Sequence, residues 1–306
     1  MPPGRDASSG QGSDPRTQRH PLLRGRFVVG HDSPAPHGDG TVLIVGGAED
    51  REDRKLILDH FRQVCGGDEA CILVIGVASE MPDEIVAVYD TAFRDLGVRE
   101  VRGITARNRS ELLALDVAPL LEGITGVYFG GGDQLRICAI LGGTLFHDRL
   151  QALIAAGLPV GGTSAGASAI SDTMIIGWDP SDQPLADNIR LSSGLGILQQ
   201  LIIDQHFTER SRLSRLITSV AYHPGYLGIG IDEDTAAICT RQGVLSVIGS
   251  GTVTIVDGSE ISECNVVETP SNHPFSVIGM KIHVLSTDHH FDLLHRRTLP
   301  GPDRPD

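Results

Sequence analysis

From Thr41 onward, short apolar runs bounded by glycine alternate with amphipathic stretches of helical period, and this alternation restricts the possible folds more than any other feature of the chain. Val42–Val45 reads as a buried strand, and residues 53–64 as an amphipathic helix closed by Gly66-Gly67. A second β-rich run covers 71–77. Helices are predicted over 83–96, after Pro82 and ending at Gly97, and over 110–115, and a strand over 126–129 runs into Gly130-Gly131-Gly132. Further buried strands are predicted at 201–203 and 228–231, with a helix over 212–220 between them. Such a series predicts an α/β fold whose doubly wound sheet is mostly parallel, with sites collected at the carboxyl ends of strands.

Past residue 235 the pattern changes. Residues 236–239, 245–249, 252–256 and 277–285 read as strands joined by glycine-containing turns, a β-rich closing section of the same domain. One α/β domain is therefore expected over residues 41–295, between a disordered N-terminal tail (1–40) and a Pro-rich C-terminal tail (296–306). The net charge of −14 argues against binding to a nucleic-acid backbone. An acidic surface serves solubility and steers cationic groups inward in preference to polyanions. Five cysteines, scattered and never spaced C-x-x-C, indicate neither a disulfide framework nor a zinc knuckle. With no apolar run long enough to span a bilayer, these features fit a cytoplasmic protein.

Gly162-Thr163-Ser164-Ala165-Gly166 stands where a short strand should pass into a helix, ahead of the small-residue run Ala167-Ser168-Ala169-Ile170. Small neighbours clear the bulk from a tight turn and leave the Ser164 hydroxyl at a helix N-terminus, the setting of a nucleophile in acyl transfer. Such a serine needs a base, and the base needs an acid to hold its tautomer. Among twelve histidines, His206 stands apart because Asp204-Gln205-His206-Phe207 directly follows the strand at 201–203. His20, His31 and His37 fall in the tail, and His60 and His147 in helical stretches. Two acids are candidates: Glu233, at the end of another buried strand, and Asp182, in a polar loop between serine and histidine.

The oxyanion of an acyl intermediate needs two backbone donors. Ala165 N–H is one, and the loop 130–134, ending at a helix start, offers a second at Gly132 or Asp133. No G-K-[ST] follows those glycines, which disfavours a Walker-type phosphate loop. Arg210, Arg212 and Arg215 come directly after His206, and their guanidinium forks match carboxylates, so an acidic substrate fits beside the hydroxyl. Asp288-His289-His290, with His283 and His295, has the spacing of no metalloenzyme helix, and neither a metal nor another cofactor is expected.

Together, Gly130-Gly131-Gly132-Asp133-Gln134, the segment from Gly161 to Ala167 around Ser164, Ile203-Asp204-Gln205-His206-Phe207 with the three arginines, and Gly228-Ile229-Gly230-Ile231-Asp232-Glu233 resemble the cyanophycinases. These lie within the S51 serine peptidases, which also contain the aspartyl dipeptidases. The resemblance implies a flavodoxin-like core akin to class I glutamine amidotransferases, with serine in place of their elbow cysteine. It also implies hydrolysis of cyanophycin, a polyaspartate carrying arginine on each β-carboxyl, to β-Asp-Arg dipeptides. Ser164 would be the nucleophile, His206 the base, and Glu233 or Asp182 the orienting acid. Substrate contacts carry over to Gln134, Asp204, Gln205, Arg210, Arg212 and Arg215. An aspartyl or isoaspartyl dipeptidase on the same scaffold is the alternative enzyme, and a catalytically silent ligand-binding relative the alternative of another class. A homodimer is compatible with the resemblance, though no sequence feature independently demands it. The chain departs from the family pattern in its long N-terminal segment and near Asp288-His289-His290.

Overall fold

The computed structural model describes residues 38–179 and 183–300. In chain order, the first half contains β1 (Val42–Val45), α1 (Leu56–Val64), β2 (Cys71–Ile75), α2 (Pro82–Asp95), β3 (Glu100–Ile104), α3 (Arg109–Ala114), α4 (Val117–Leu121), β4 (Gly126–Phe129), α5 (Gln134–Leu141), α6 (Leu145–Ala155) and β5 (Val160–Thr163). Next come α7 (Ala165–Ile170), β6 (Ser171–Trp178), β7 (Ile189–Ser193), β8 (Leu198–Gln205), α8 (Leu213–Tyr222) and β9 (Leu227–Ile231). The last part holds β10 (Thr235–Cys239), β11 (Val244–Gly249), β12 (Val253–Asp257), β13 (Glu263–Cys264), β14 (Val277–Ile278), β15 (Lys281–Leu285), β16 (His290–Asp292) and β17 (Arg297–Leu299).

Continuous apolar runs make the central strands. Every residue of β1, β2 and β4 is buried, as parallel strands covered on both faces require. Side-chain caps start several helices: Asn108 accepts from the Glu111 amide, Asp133 from Leu135 and Thr144 from His147. The α1 helix begins later than the apolar period predicts. Asp50 explains the delay, since its carboxylate accepts the amides of Glu52, Asp53, Arg54 and Lys55 and so holds that stretch as a loop. The same four amides draw the Asp50 carboxyl well below the usual carboxylate range.

The strands form two large sheets, each with a parallel core, in the α/β fold expected. A nine-stranded sheet has the order β17-β16-β11-β10-β1-β5-β4-β2-β3, and a six-stranded sheet the order β15-β12-β9-β8-β6-β7. In the first, β1, β5, β4, β2 and β3 are parallel, while β10, β11, β16 and β17 extend the β1 side antiparallel. In the second, β6, β8 and β9 are parallel, with β12, β15 and β7 antiparallel. A buried strand and its neighbour's hydrophobicity do not encode sheet membership, so β8 and β9 read like extra strands of the first sheet.

One apolar core joins the two sheets. It runs from Ile44, Leu73 and Phe129 through Ala165, Ala167, Ala169 and Ile170 of α7 to Ile203, Ile229 and Ile255. All six residues of α7 are buried, placing this short helix between the layers. Its small side chains make that possible: a Cβ at Gly166 would lie 2.3 Å from the Phe129 carbonyl oxygen, so only glycine lets the helix lie directly on β4. On the far face of the first sheet, Phe61, Tyr89, Phe93 and Tyr128 pack between α1, α2 and the strands. Leu216 and Val220 of α8 cover the outer face of the second.

Of the expected N-terminal tail, residues 1–37 lie outside the described residues, while the Gly40 amide donates to the Gly157 carbonyl at 3.0 Å. Residues 301–306 of the expected C-terminal tail also lie outside them. The remainder departs from expectation, because Arg297–Leu299 pair antiparallel with His290–Asp292 and extend the first sheet. Among the described residues no helix is long and apolar enough to cross a membrane.

Candidate active site

Three strand ends meet where α7 separates the sheets. Ser164 follows β5 of the first sheet; His206 and Glu233 follow β8 and β9 of the second. Ser164 adopts φ 52° and ψ −115°, a backbone region costly for any residue with a Cβ. Its amide donates to the Val45 carbonyl at 3.1 Å, and its own carbonyl accepts the Ser168 amide at 3.1 Å. This sharp turn lifts the hydroxyl out of the core.

Ser164 Oγ stands 2.9 Å from His206 Nε2, and His206 Nδ1 stands 2.5 Å from Glu233 Oε1. An ionised carboxylate only accepts, so Nδ1 carries the proton and the Nε2 lone pair faces the serine hydroxyl. The imidazole is largely enclosed, its side chain 11% exposed, whereas the Glu233 side chain is 38% exposed. A positive φ of 47° at His206 turns the chain sharply at the end of β8.

The loop after β1 ties the two sheets together at this point. Gly46 accepts the His206 amide at 2.8 Å, and Gly47 accepts the Asp234 amide at 2.9 Å. Gly47, at φ 103°, lies under the imidazole: a Cβ there would stand 2.3 Å from His206 Cε1. Asp232, buried beside Glu233, receives the Thr208 amide and hydroxyl on one oxygen and those of Thr252 on the other, at 2.7–3.1 Å. Asp232 thereby anchors the segment leaving His206 to the strand end carrying Glu233. Gly47 is absent from the residues predicted, and Asp232 is predicted only as part of the segment carrying Glu233; the Gly46-Gly47 pair at a strand's carboxyl end is the available signal.

The remaining predicted residues divide. Asp182 lies outside the described residues. Gly132 adopts φ 143° in the glycine loop, and its neighbour Gly131 lies against the turn, where a Cβ would be 3.5 Å from Ser164 Cβ. The Asp133 amide, expected as an oxyanion donor, is already committed to the Ala78 carbonyl at 2.9 Å, and its carboxylate caps α5. Ala165 N–H opens α7, where no earlier turn supplies an acceptor. Gln134 donates its side-chain amide to the Ile175 carbonyl at 2.7 Å, which links α5 to the second sheet.

Asp204, Gln205, Arg212 and Arg215 come together, but with one another. Asp204 is 1% exposed and accepts two donors of the Arg215 guanidinium, with Arg212 Nη1 at 3.2 Å. Arg212 Nη1 also donates to Gln205 Oε1 at 2.7 Å and to the Gln205 carbonyl. Burial draws Arg212 down to about 10, with Asp204 opposing that pull, so the cation persists at neutral pH. The network is therefore occupied by a buried internal carboxylate, where an open pair of forks for substrate was expected. Arg210, which is exposed, stands outside it.

All five cysteines are free thiols, and burial pushes Cys138 up to about 11 and Cys239 to about 12, leaving both inert as nucleophiles at neutral pH. Among the described residues no group of His, Cys, Asp and Glu is placed to hold a metal ion. His295 Nδ1 instead meets Asp292 at 2.7 Å, and the His283 ring packs on Phe291.

The sequence profile described as Peptidase family S51 matches residues 42–247, a span that includes all three strand ends of the site. The chain belongs to peptidase family S51. This S51 peptidase is 39% identical over 264 residues to a cyanophycinase of Trichormus variabilis, covering 86% of this chain and 89% of that protein. It is 40% identical over 248 residues to a cyanophycinase of Synechococcus elongatus, covering 81% and 77% respectively. Among solved structures, a peptidase from an acI-B1 Actinobacterium superposes with a TM-score of 0.57 at 18% identity, covering 84% of this S51 peptidase and 98% of its own chain. That likeness concerns the fold alone.

Proposed function

We propose that this S51 peptidase hydrolyses cyanophycin through an acyl-enzyme on Ser164 and releases β-Asp-Arg dipeptides. One observation carries the reading: in a chain this similar to cyanophycinases, hydroxyl, imidazole and carboxylate are aligned at 2.9 and 2.5 Å across the junction of the sheets. Ser164 Oγ attacks the carbonyl carbon between two aspartates while His206 Nε2 takes the hydroxyl proton. Glu233 holds the imidazole in the required tautomer and stabilises the imidazolium. The oxyanion is met by Ala165 N–H and by an amide of the Gly131-Gly132 loop. Collapse breaks the C–N bond, and the proton on Nε2 passes to the leaving amine. Water then gives a proton to His206 and attacks the ester, releasing the carboxylate and restoring the hydroxyl.

Arg210 is the arginine available to a substrate carboxylate, since Arg212 and Arg215 serve Asp204. Digestion of insoluble cyanophycin with mass analysis of the products tests the reading. Release of β-Asp-Arg is expected; cleavage of short aspartyl or isoaspartyl dipeptides alone would assign the dipeptidase activity instead.

A further inference from the structure

Glu49 is a buried carboxylate that takes no part in the chemistry above. It lies in the loop after β1 and is 3% exposed. Three hydroxyls converge on it: Tyr89 and Tyr128 donate to Oε1, the latter at 3.3 Å, and Thr163 donates to Oε2 at 2.6 Å. No lysine or arginine of the described residues pairs with it. Arg51 instead stacks over the Tyr89 ring at 5.8 Å. Burial, with Glu49 adding to it, holds both phenols far above their usual range, which keeps them protonated as donors. A buried carboxyl group answered by hydroxyls alone is costly in a core that apolar side chains would fill more cheaply.

Its connections account for the expense. Thr163 immediately precedes Ser164, whose strained backbone persists only if its surroundings hold it from several sides. The segment Gly46-Gly47-Ala48-Glu49 is also the one whose carbonyls accept the His206 and Asp234 amides. One carboxylate thus fastens the serine turn to the loop from which the base and the acid's strand end hang, while Tyr89 and Tyr128 fix that carboxylate to α2 and β4.

We propose that Glu49 is a positioning residue for the Ser164–His206 pair, acting through Thr163 and the 46–49 loop without touching substrate. This rests on the reading of Ser164 as nucleophile. Turnover of cyanophycin and the rate of fluorophosphonate labelling are measured for Thr163→Val, Thr163→Ser, Glu49→Gln and the double variant Thr163→Val/Glu49→Gln, with Ser164→Ala alongside. Thr163→Val, nearly isosteric, is expected to lower kcat and the labelling rate together by about 10- to 100-fold with KM within about twofold, the scale of a small misplacement of reacting groups. Thr163→Ser, which keeps the hydroxyl, should restore both, and the double variant should be no slower than Glu49→Gln alone. If Glu49→Gln does not fold, Thr163→Val and Thr163→Ser decide the matter. Wild-type kcat in Thr163→Val with an inactive Ser164→Ala, or losses that multiply in the double variant, would overturn the inference and leave the nucleophile standing. Undiminished turnover in Ser164→Ala would remove the reading beneath it.

Discussion

The His206 amide donates to the Gly46 carbonyl at 2.8 Å, so the imidazole carried by the second sheet hangs on the residue that follows strand β1 of the other. Ser164 is bound to the same strand through the Val45 carbonyl. The spacing of hydroxyl and imidazole therefore depends on how two sheets pack around α7 and on a short loop that both partners share. Catalytic geometry and the interior of the domain are one construction.

Gly47→Ala tests that loop. A methyl group 2.3 Å from His206 Cε1, at φ 103°, cannot be accommodated without moving the ring. We expect kcat to fall about 100-fold or more, with a lowered thermal midpoint. Steady-state kinetics and thermal unfolding together check this, and an unaltered kcat would show that the ring does not need its present place.

Ser164→Gly separates strain from chemistry. Glycine relieves a φ of 52° with ψ −115°, worth about 1–3 kcal/mol, against a backbone entropy cost of about 0.5–1 kcal/mol. The variant should lose turnover by about 10³-fold or more while unfolding in urea at the same or a higher concentration than the parent. A clear loss of stability would mean that the turn is not strained.

Glu233→Gln keeps the shape of the acid and removes its charge. Loss of kcat by about 10²- to 10⁴-fold is expected, with KM little changed, because the imidazole then lacks the carboxylate that holds its tautomer. Activity measured in parallel with Asp182→Asn decides between the two acids, the larger loss marking the partner of His206.

Asp204 and Arg210 are expected to part company. Asp204→Asn leaves Arg212 and Arg215, both largely enclosed, without their counter-charge and should cost about 3–5 kcal/mol in urea unfolding. Arg210→Ala should leave stability within about 0.5 kcal/mol and raise KM, as loss of an exposed substrate contact does. Equal effects of both variants on stability would contradict the division of labour among these arginines.

Much of this was legible in the sequence because local signals coincide with function. Val42–Val45 and Gly126–Phe129 are apolar runs with glycine next to them, and their ends follow from that alone. Ser164, His206 and Glu233 each sit one or two residues past the end of a strand, where side chains emerge from a parallel sheet. What the pattern does not carry is partnership. Nothing in Asp204-Gln205-His206 announces that arginines eight and eleven residues later turn back onto the aspartate, and an arginine cluster reads the same whether its carboxylate comes from substrate or from the core. β6 and β7 went unseen because Ser171-Asp172-Thr173 and Ile189–Ser193 lack a clean apolar alternation. The predicted strand over 277–285 divides into β14 and β15 because Gly279 turns at φ 88°. Tertiary packing, which no local pattern carries, is what buries Glu49 and Asp232.

Mass spectrometry after treatment with a serine-directed fluorophosphonate tests the central claim most directly. The account predicts a single adduct on Ser164, formed in step with loss of cyanophycin hydrolysis and absent from His206→Ala at matched exposure. Folded protein that resists labelling at Ser164 while still cleaving cyanophycin would contradict it.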